Sequence, residues 1–146
     1  MRLVLLTDER GLPLGYTIAP ANEKEYEPLA DLLTGNPSAV AVADKDLSGR
    51  AYSKRLAAGG TALLTPDRTR TDANEQRERA LASTRRVIES VFANLNGQMR
   101  LERHLAKTPA GLAVRIAQRI LALTIAILLN TINGRPARAL AAYDGR

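Results

Sequence analysis

Cysteine is absent from this sequence, which removes both a disulfide framework and a thiolate metal site and fits a reducing cytoplasm. Tryptophan is absent too, and aromatic residues make up 3% of the chain. The core is therefore left to Leu, Val, Ile and Ala, and stacking platforms for single-stranded nucleic acid are not expected. Long apolar runs are also lacking. The longest, residues 120–129, is about half of what a bilayer crossing needs. The apolar start at residues 3–6 is cut short by Asp8, Glu9 and Arg10 before it can make a signal peptide. No contact with a membrane is expected.

What is present is apolar content of 45% over 146 residues, enough for one compact unit with a real core. The net charge of +6 and a pI near 10.2 favour an anionic partner, because Lys and Arg neutralise phosphates and release counterions. Charge alone fits nucleic acid, a membrane surface or no anionic partner at all.

Residues 2–7 and 12–19 are two apolar, β-rich runs joined at Gly11, a residue suited to a left-handed turn position. They predict a hairpin. Residues 22–33 predict a helix, opened by Asn22 and acidic residues and stopped by Gly35 and Pro37. Residues 39–43 are short and apolar throughout, which suits a strand covered on both faces and ending at Asp44. A short helix over 49–58, closed by Gly59 and Gly60, and a strand over 61–65 follow.

Residues 66–76 hold nothing apolar larger than Ala and predict a mobile basic loop carrying Arg68 and Arg70. Beyond it, Leu81, Val87, Ile88, Val91, Phe92, Leu95 and Met99 trace one face of a helix. Thr108 and Pro109 then open a last long helix, with a core stripe of Leu112, Ile116, Ile120, Leu123 and Ile127, ended by residues 133–136. No linker divides the chain.

Several segments together resemble the DDE transposases of bacterial insertion sequences, in the group with an uninterrupted RNase H-like catalytic domain. They are Gly11-Leu-Pro-Leu-Gly-Tyr16 with Ala19-Pro-Ala-Asn22, Ala43-Asp-Lys45, Arg86-Val-Ile-Glu-Ser90 and Leu101-Glu-Arg-His104. The densest is Gly111-Leu-Ala-Val-Arg-Ile-Ala-Gln-Arg-Ile-Leu-Ala-Leu-Thr124, followed by Gly134-Arg-Pro136 and Ala142-Tyr-Asp144. They run in the family's order over almost the whole chain.

The resemblance implies an α/β domain over residues 1–146, an RNase H-like mixed sheet with flanking helices. It divides into a hairpin and strands (1–65), the mobile basic loop (66–76) and a helical C-terminal part (77–146). The family's second catalytic Asp falls on Asp44 and its Glu on Glu89. Both would be ligands of Mg²⁺ or Mn²⁺, hard ions that prefer carboxylate oxygen, in a site whose two ions sit roughly 4 Å apart when complete. Asp46 and Leu47 depart from the family's Gly-Tyr after the Asp-Lys pair.

The family's first Asp has no counterpart here, and Asp8 lies in the hairpin turn. The expectation is therefore a fragment lacking its first central strand, with little catalysis of its own. Its hairpin would close directly onto the strand ending at Asp44 or take a strand from another chain, making the domain marginally stable or partner-dependent.

Implied partners are DNA, as transposon ends and target, and either an upstream half of the enzyme or further copies of the chain. The implied place is the bacterial cytoplasm, at the nucleoid. Candidate phosphate contacts are Arg68, Arg70, Arg77, Arg79, Arg85 and Arg86, which lead up to Glu89, together with Arg115 and Arg119. The competing expectation is a non-catalytic DNA-binding or oligomerisation protein that modulates a full-length transposase.

Each candidate also has an ordinary role. Asp44 can cap the element after its strand, and Glu89 can pair with Arg85 one turn away for a few tenths of a kcal/mol. Arg115 and Arg119 can be solvated helix charges, and His104, the single histidine, a surface or capping residue.

Overall fold

The computed structural model describes residues 1–22, 26–38, 40–44, 47, 49–66 and 75–143. Strands β1 (Arg2–Thr7) and β2 (Pro13–Ala19) form the hairpin and are followed by α1 (Tyr26–Gly35) and β3 (Val40–Val42). Then come α2 (Arg50–Ala58), β4 (Ala62–Leu64) and two long helices, α3 (Glu75–Asn96) and α4 (Pro109–Ile132). Short 3-10 turns at Leu101–Arg103 and Leu140–Tyr143 complete the order. This is a mixed α/β fold with small sheets and four helices. The central part of the expected loop, residues 67–74, lies outside the described residues.

Two compact units make up the structure. Unit 1 comprises Met1–Leu6 and Leu14–Arg86, and unit 2 comprises Thr7–Pro13 and Val87–Arg146.

In unit 1, β3 and β4 pair in parallel, with Val40 opposite Ala62, Ala41 opposite Leu63 and Val42 opposite Leu64. The α2 helix makes the crossover that a parallel pair requires. Among the described residues this pair and the hairpin are separate two-stranded sheets, so the hairpin does not close directly onto β3. The expectation that β3 is covered on both faces is also corrected. Ala41 is buried but Val40 is 51% exposed, because a strand paired on one edge in a two-stranded sheet has little to cover its second face.

The core of unit 1 gathers Leu29, Ala30 and Leu33 of α1, Ala41 of β3, and Tyr52 and Leu56 of α2, with Leu6, Tyr26, Leu47 and Leu63 packed against it. The rings of Tyr26 and Tyr52 are tilted at 54° with centroids 4.7 Å apart, a favourable aromatic geometry. The Tyr52 hydroxyl is buried without a hydrogen-bond partner. Burial, followed by the nearby Glu27 carboxylate, pushes its pKa up to about 12.

In unit 2 the hairpin turn is fixed by its own side chains. Asp8 Oδ1 accepts from the backbone N–H groups of Arg10 (2.9 Å) and Leu12 (2.8 Å), a local mimic of a backbone turn. Gly11 has φ +90°, and a Cβ there would meet Val91 Cγ2 at 2.8 Å and Arg138 Cδ at 3.0 Å. Both its backbone angle and the close approach of α3 therefore require glycine.

Thr108 caps α4, its Oγ1 accepting from the N–H of Gly111 at 3.1 Å. After the last turn, Gly134 adopts φ +65°, and the Arg135 N–H donates to the Asn130 carbonyl at 2.8 Å. The Asn130 side chain is fully buried, and its amide donates to the carbonyls of Pro136, Ala137 and Ala139 at 3.2–3.3 Å.

Candidate functional site

The strand β3 runs toward Asp44, and the pairing with β4 continues just past its end, where the Ala43 N–H donates to the Leu64 carbonyl at 3.0 Å. Asp44 follows as an exposed residue of unit 1, and its backbone carbonyl accepts from the Leu47 N–H at 3.0 Å. A carboxylate at the C-terminal end of a parallel strand is where α/β sheets commonly present ligating groups to solvent. Lys45 and Asp46, which carry part of the departure from the family pattern, lie outside the described residues.

Glu89 is exposed on α3, in the part of that helix belonging to unit 2. The helical repeat explains the exposure. Leu81, Val91 and Leu95 are buried, with Val87, Ile88 and Phe92 half-buried beside them. Residues advancing by 100° each then put Ala82, Arg85, Arg86, Glu89 and Ala93 on the opposite, solvent side. Arg79 falls on the same side, and Arg79, Arg85 and Arg86 are all exposed. Glu78 falls on that side as well, between Arg85 and Glu89, so the stripe mixes both signs, with Glu89 beside Arg85 and Arg86. Arg68 and Arg70 lie outside the described residues, as does the side chain of Arg77.

The other candidates separate on their contacts. Arg115 is exposed, with its Nη1 donating to Gln118 Oε1 at 3.3 Å. Arg119 is half-buried. Its Nε donates to the Met99 carbonyl and its Nη1 to the Arg115 carbonyl, both at 2.9 Å. It thus ties α4 to the end of α3, a structural task that sequence reasoning missed. His104 Nδ1 accepts from the Ala106 N–H at 3.0 Å, the local capping role that is ordinary for a lone histidine. Asp8 spends its carboxylate on the hairpin turn.

Among the described residues, no group of three or more His, Asp or Glu side chains is gathered as a metal site. Asp44 and Glu89 offer hard oxygen donors open to water, a donor type that suits Mg²⁺ or Mn²⁺. Two such side chains are few for the pair of ions that phosphoryl-transfer sites commonly employ.

The chain presents Asp44 at a strand end and Glu89 among the arginines of a mixed-charge helix, and comparison with known proteins gives the class. The transposase DDE domain family matches residues 1–125. The chain belongs to that family, and both Asp44 and Glu89 fall within the match. No curated protein and no solved structure matches the chain.

By length and composition alone, α4 is apolar enough to cross a membrane, a test that the core helix of a soluble protein also passes.

Proposed function

We propose that this chain acts in DNA transposition as part of a metal-dependent catalytic domain of the RNase H-like type from a bacterial insertion sequence. Asp44 and Glu89 are its metal-binding carboxylates. The observation that carries this reading is the family match spanning both residues, supported by their exposure at a strand end and beside Arg85 and Arg86 on a helix face. A divalent ion bound there would supply charge neutralisation at a scissile phosphate and acidify a bound water.

The chain's own residues have separate tasks. Asp44 and Glu89 offer anionic oxygen, while Arg79, Arg85 and Arg86 track the phosphate backbone without reading base sequence. Arg115 is a further phosphate contact. Arg119 has two of its donors engaged within unit 2 and contributes less. The domain works on DNA in the cytoplasm at the nucleoid, and two carboxylates alone hold an ion weakly, so strand cleavage by the isolated chain is slow or absent. Because both two-stranded sheets keep unpaired edges among the described residues, the same reading expects a domain that gains stability from a partner.

The test is Mn²⁺ binding followed by electron paramagnetic resonance, with DNA binding measured in parallel against salt concentration. Weak, saturable Mn²⁺ binding that is lost in Asp44→Asn and in Glu89→Gln supports the metal role. Binding unchanged in both variants removes it. DNA affinity that falls in Arg85→Gln/Arg86→Gln but not in the carboxylate variants would then favour a non-catalytic DNA-binding protein.

A further inference from the structure

The buried face of α4 carries Ile116, Ile120, Leu123, Ile127 and Asn130. A second apolar stripe runs along the same helix, and nothing among the described residues buries it. Val114 is 56% exposed, Leu121 60%, Ile125 48%, Leu128 42% and Ile132 78%. With Gln118 these positions step by four, three, four, three and four residues. At 100° per residue all six fall within an arc of about 80°, centred opposite the buried set. A 3-4 repeat is the seam of a coiled coil, and in this one Val114, Leu121 and Leu128 take the d positions and Gln118, Ile125 and Ile132 the a positions.

We propose that α4 pairs through this stripe with the α4 of a second copy of the chain, as a parallel two-stranded coiled coil. Three observations select that occupant. β-branched Ile at a with Leu at d is the combination that favours two parallel strands, and a single polar residue at a, here Gln118, sets register by meeting its own copy.

The flanking positions are Arg115, Ala117, Ala122, Thr124, Leu129 and Thr131. Beyond Arg115 they carry no charge, so two copies meet without like-charge repulsion, while Ala117, Ala122, Thr124 and Thr131 are small enough to let the helices approach and Leu129 adds apolar surface. Finally, the stripe exposes on the order of 500 Å² of apolar side chain per copy, at the upper end for a monomer's largest patch. Together with its flanks it approaches the roughly 800 Å² per partner of a stable interface. The pairing stands independently of whether Asp44 and Glu89 hold metal.

The experiment uses the full chain, in which the lack of native cysteine makes an introduced thiol unique. Analytical ultracentrifugation over a micromolar concentration series should show a dimer. Leu121→Glu/Leu128→Glu, both at exposed positions, should weaken it at least about a hundredfold, because charges would enter an apolar seam. Circular dichroism should be unchanged.

Under oxidation Gln118→Cys should cross-link into a covalent dimer, while Ala113→Cys, exposed but off the seam, should not. A monomer at every concentration with no cross-link at position 118 would overturn the proposal, the stripe then being covered by the chain itself. Equal cross-linking at both positions would overturn the parallel seam. Uptake by phosphatidylglycerol vesicles without dimer formation would assign the stripe to lipid instead.

Discussion

Among the described residues, the six largest fully buried side chains, Val91, Leu95, Leu123, Ile127, Asn130 and Leu140, lie in unit 2, on or just beyond two long helices. Unit 1 buries its core residues less completely, around a parallel pair only three residues long. Helices satisfy their backbone internally, whereas a two-stranded sheet keeps half of its edge groups for water or a partner. The comparison teaches that most of the stability resides in the helical unit, while Asp44 sits in the thinner one.

The largest effect should come from cavities. Leu95→Ala should cost about 3–4 kcal/mol and Leu56→Ala, less completely buried in unit 1, about 2 kcal/mol in urea titrations. The reverse order would break the comparison. Replacing Asn130 by Leu should cost about 2–3 kcal/mol by thermal or urea unfolding, since three carbonyls lose their donor in a buried position.

The smallest effect sharpens the picture of unit 1. Tyr52→Phe should leave stability at neutral pH unchanged or raise it by about 1 kcal/mol, because the buried hydroxyl has no partner. Folding raises the Tyr52 pKa from 10.0 to about 12. Its contribution is therefore complete below pH 10 and is lost as pH rises from 10 to 12, where the unfolded chain gives up the proton first. That part of the alkaline decline should disappear in Tyr52→Phe, as followed by denaturant midpoints at each pH.

Local signals carried much of the fold. Gly11, Thr108 and the residues around Gly134 announce their turns and caps because each acts on neighbours a few positions away. The stripe from Leu81 to Met99 announces a helix because its period is unambiguous. Asn130 was not legible, since its partners are carbonyls of a turn whose path depends on tertiary packing. The second stripe of α4 was hidden for a different reason. In a helix apolar nearly all round, the period does not tell which residues face inward.

The candidate carboxylates were legible as residue types in a family pattern. Their environments were not, because Asp44 and Glu89 belong to different units and no local rule relates them. The exposure of β3 likewise depends on how many strands its sheet contains, which a three-residue apolar run does not encode.

Arg138 reaches back to the hairpin turn, its Nη1 donating to the Arg10 carbonyl at 2.6 Å, while its aliphatic stem lies against Gly11. Arg10 and Arg138 lie 128 positions apart in the sequence. During synthesis at about 5–20 residues per second, the turn must therefore wait several seconds for its partner to leave the ribosome. The hairpin can form early, but its clasp closes only once Arg138 has emerged, so the helical unit is completed well after its turn is made rather than alongside it.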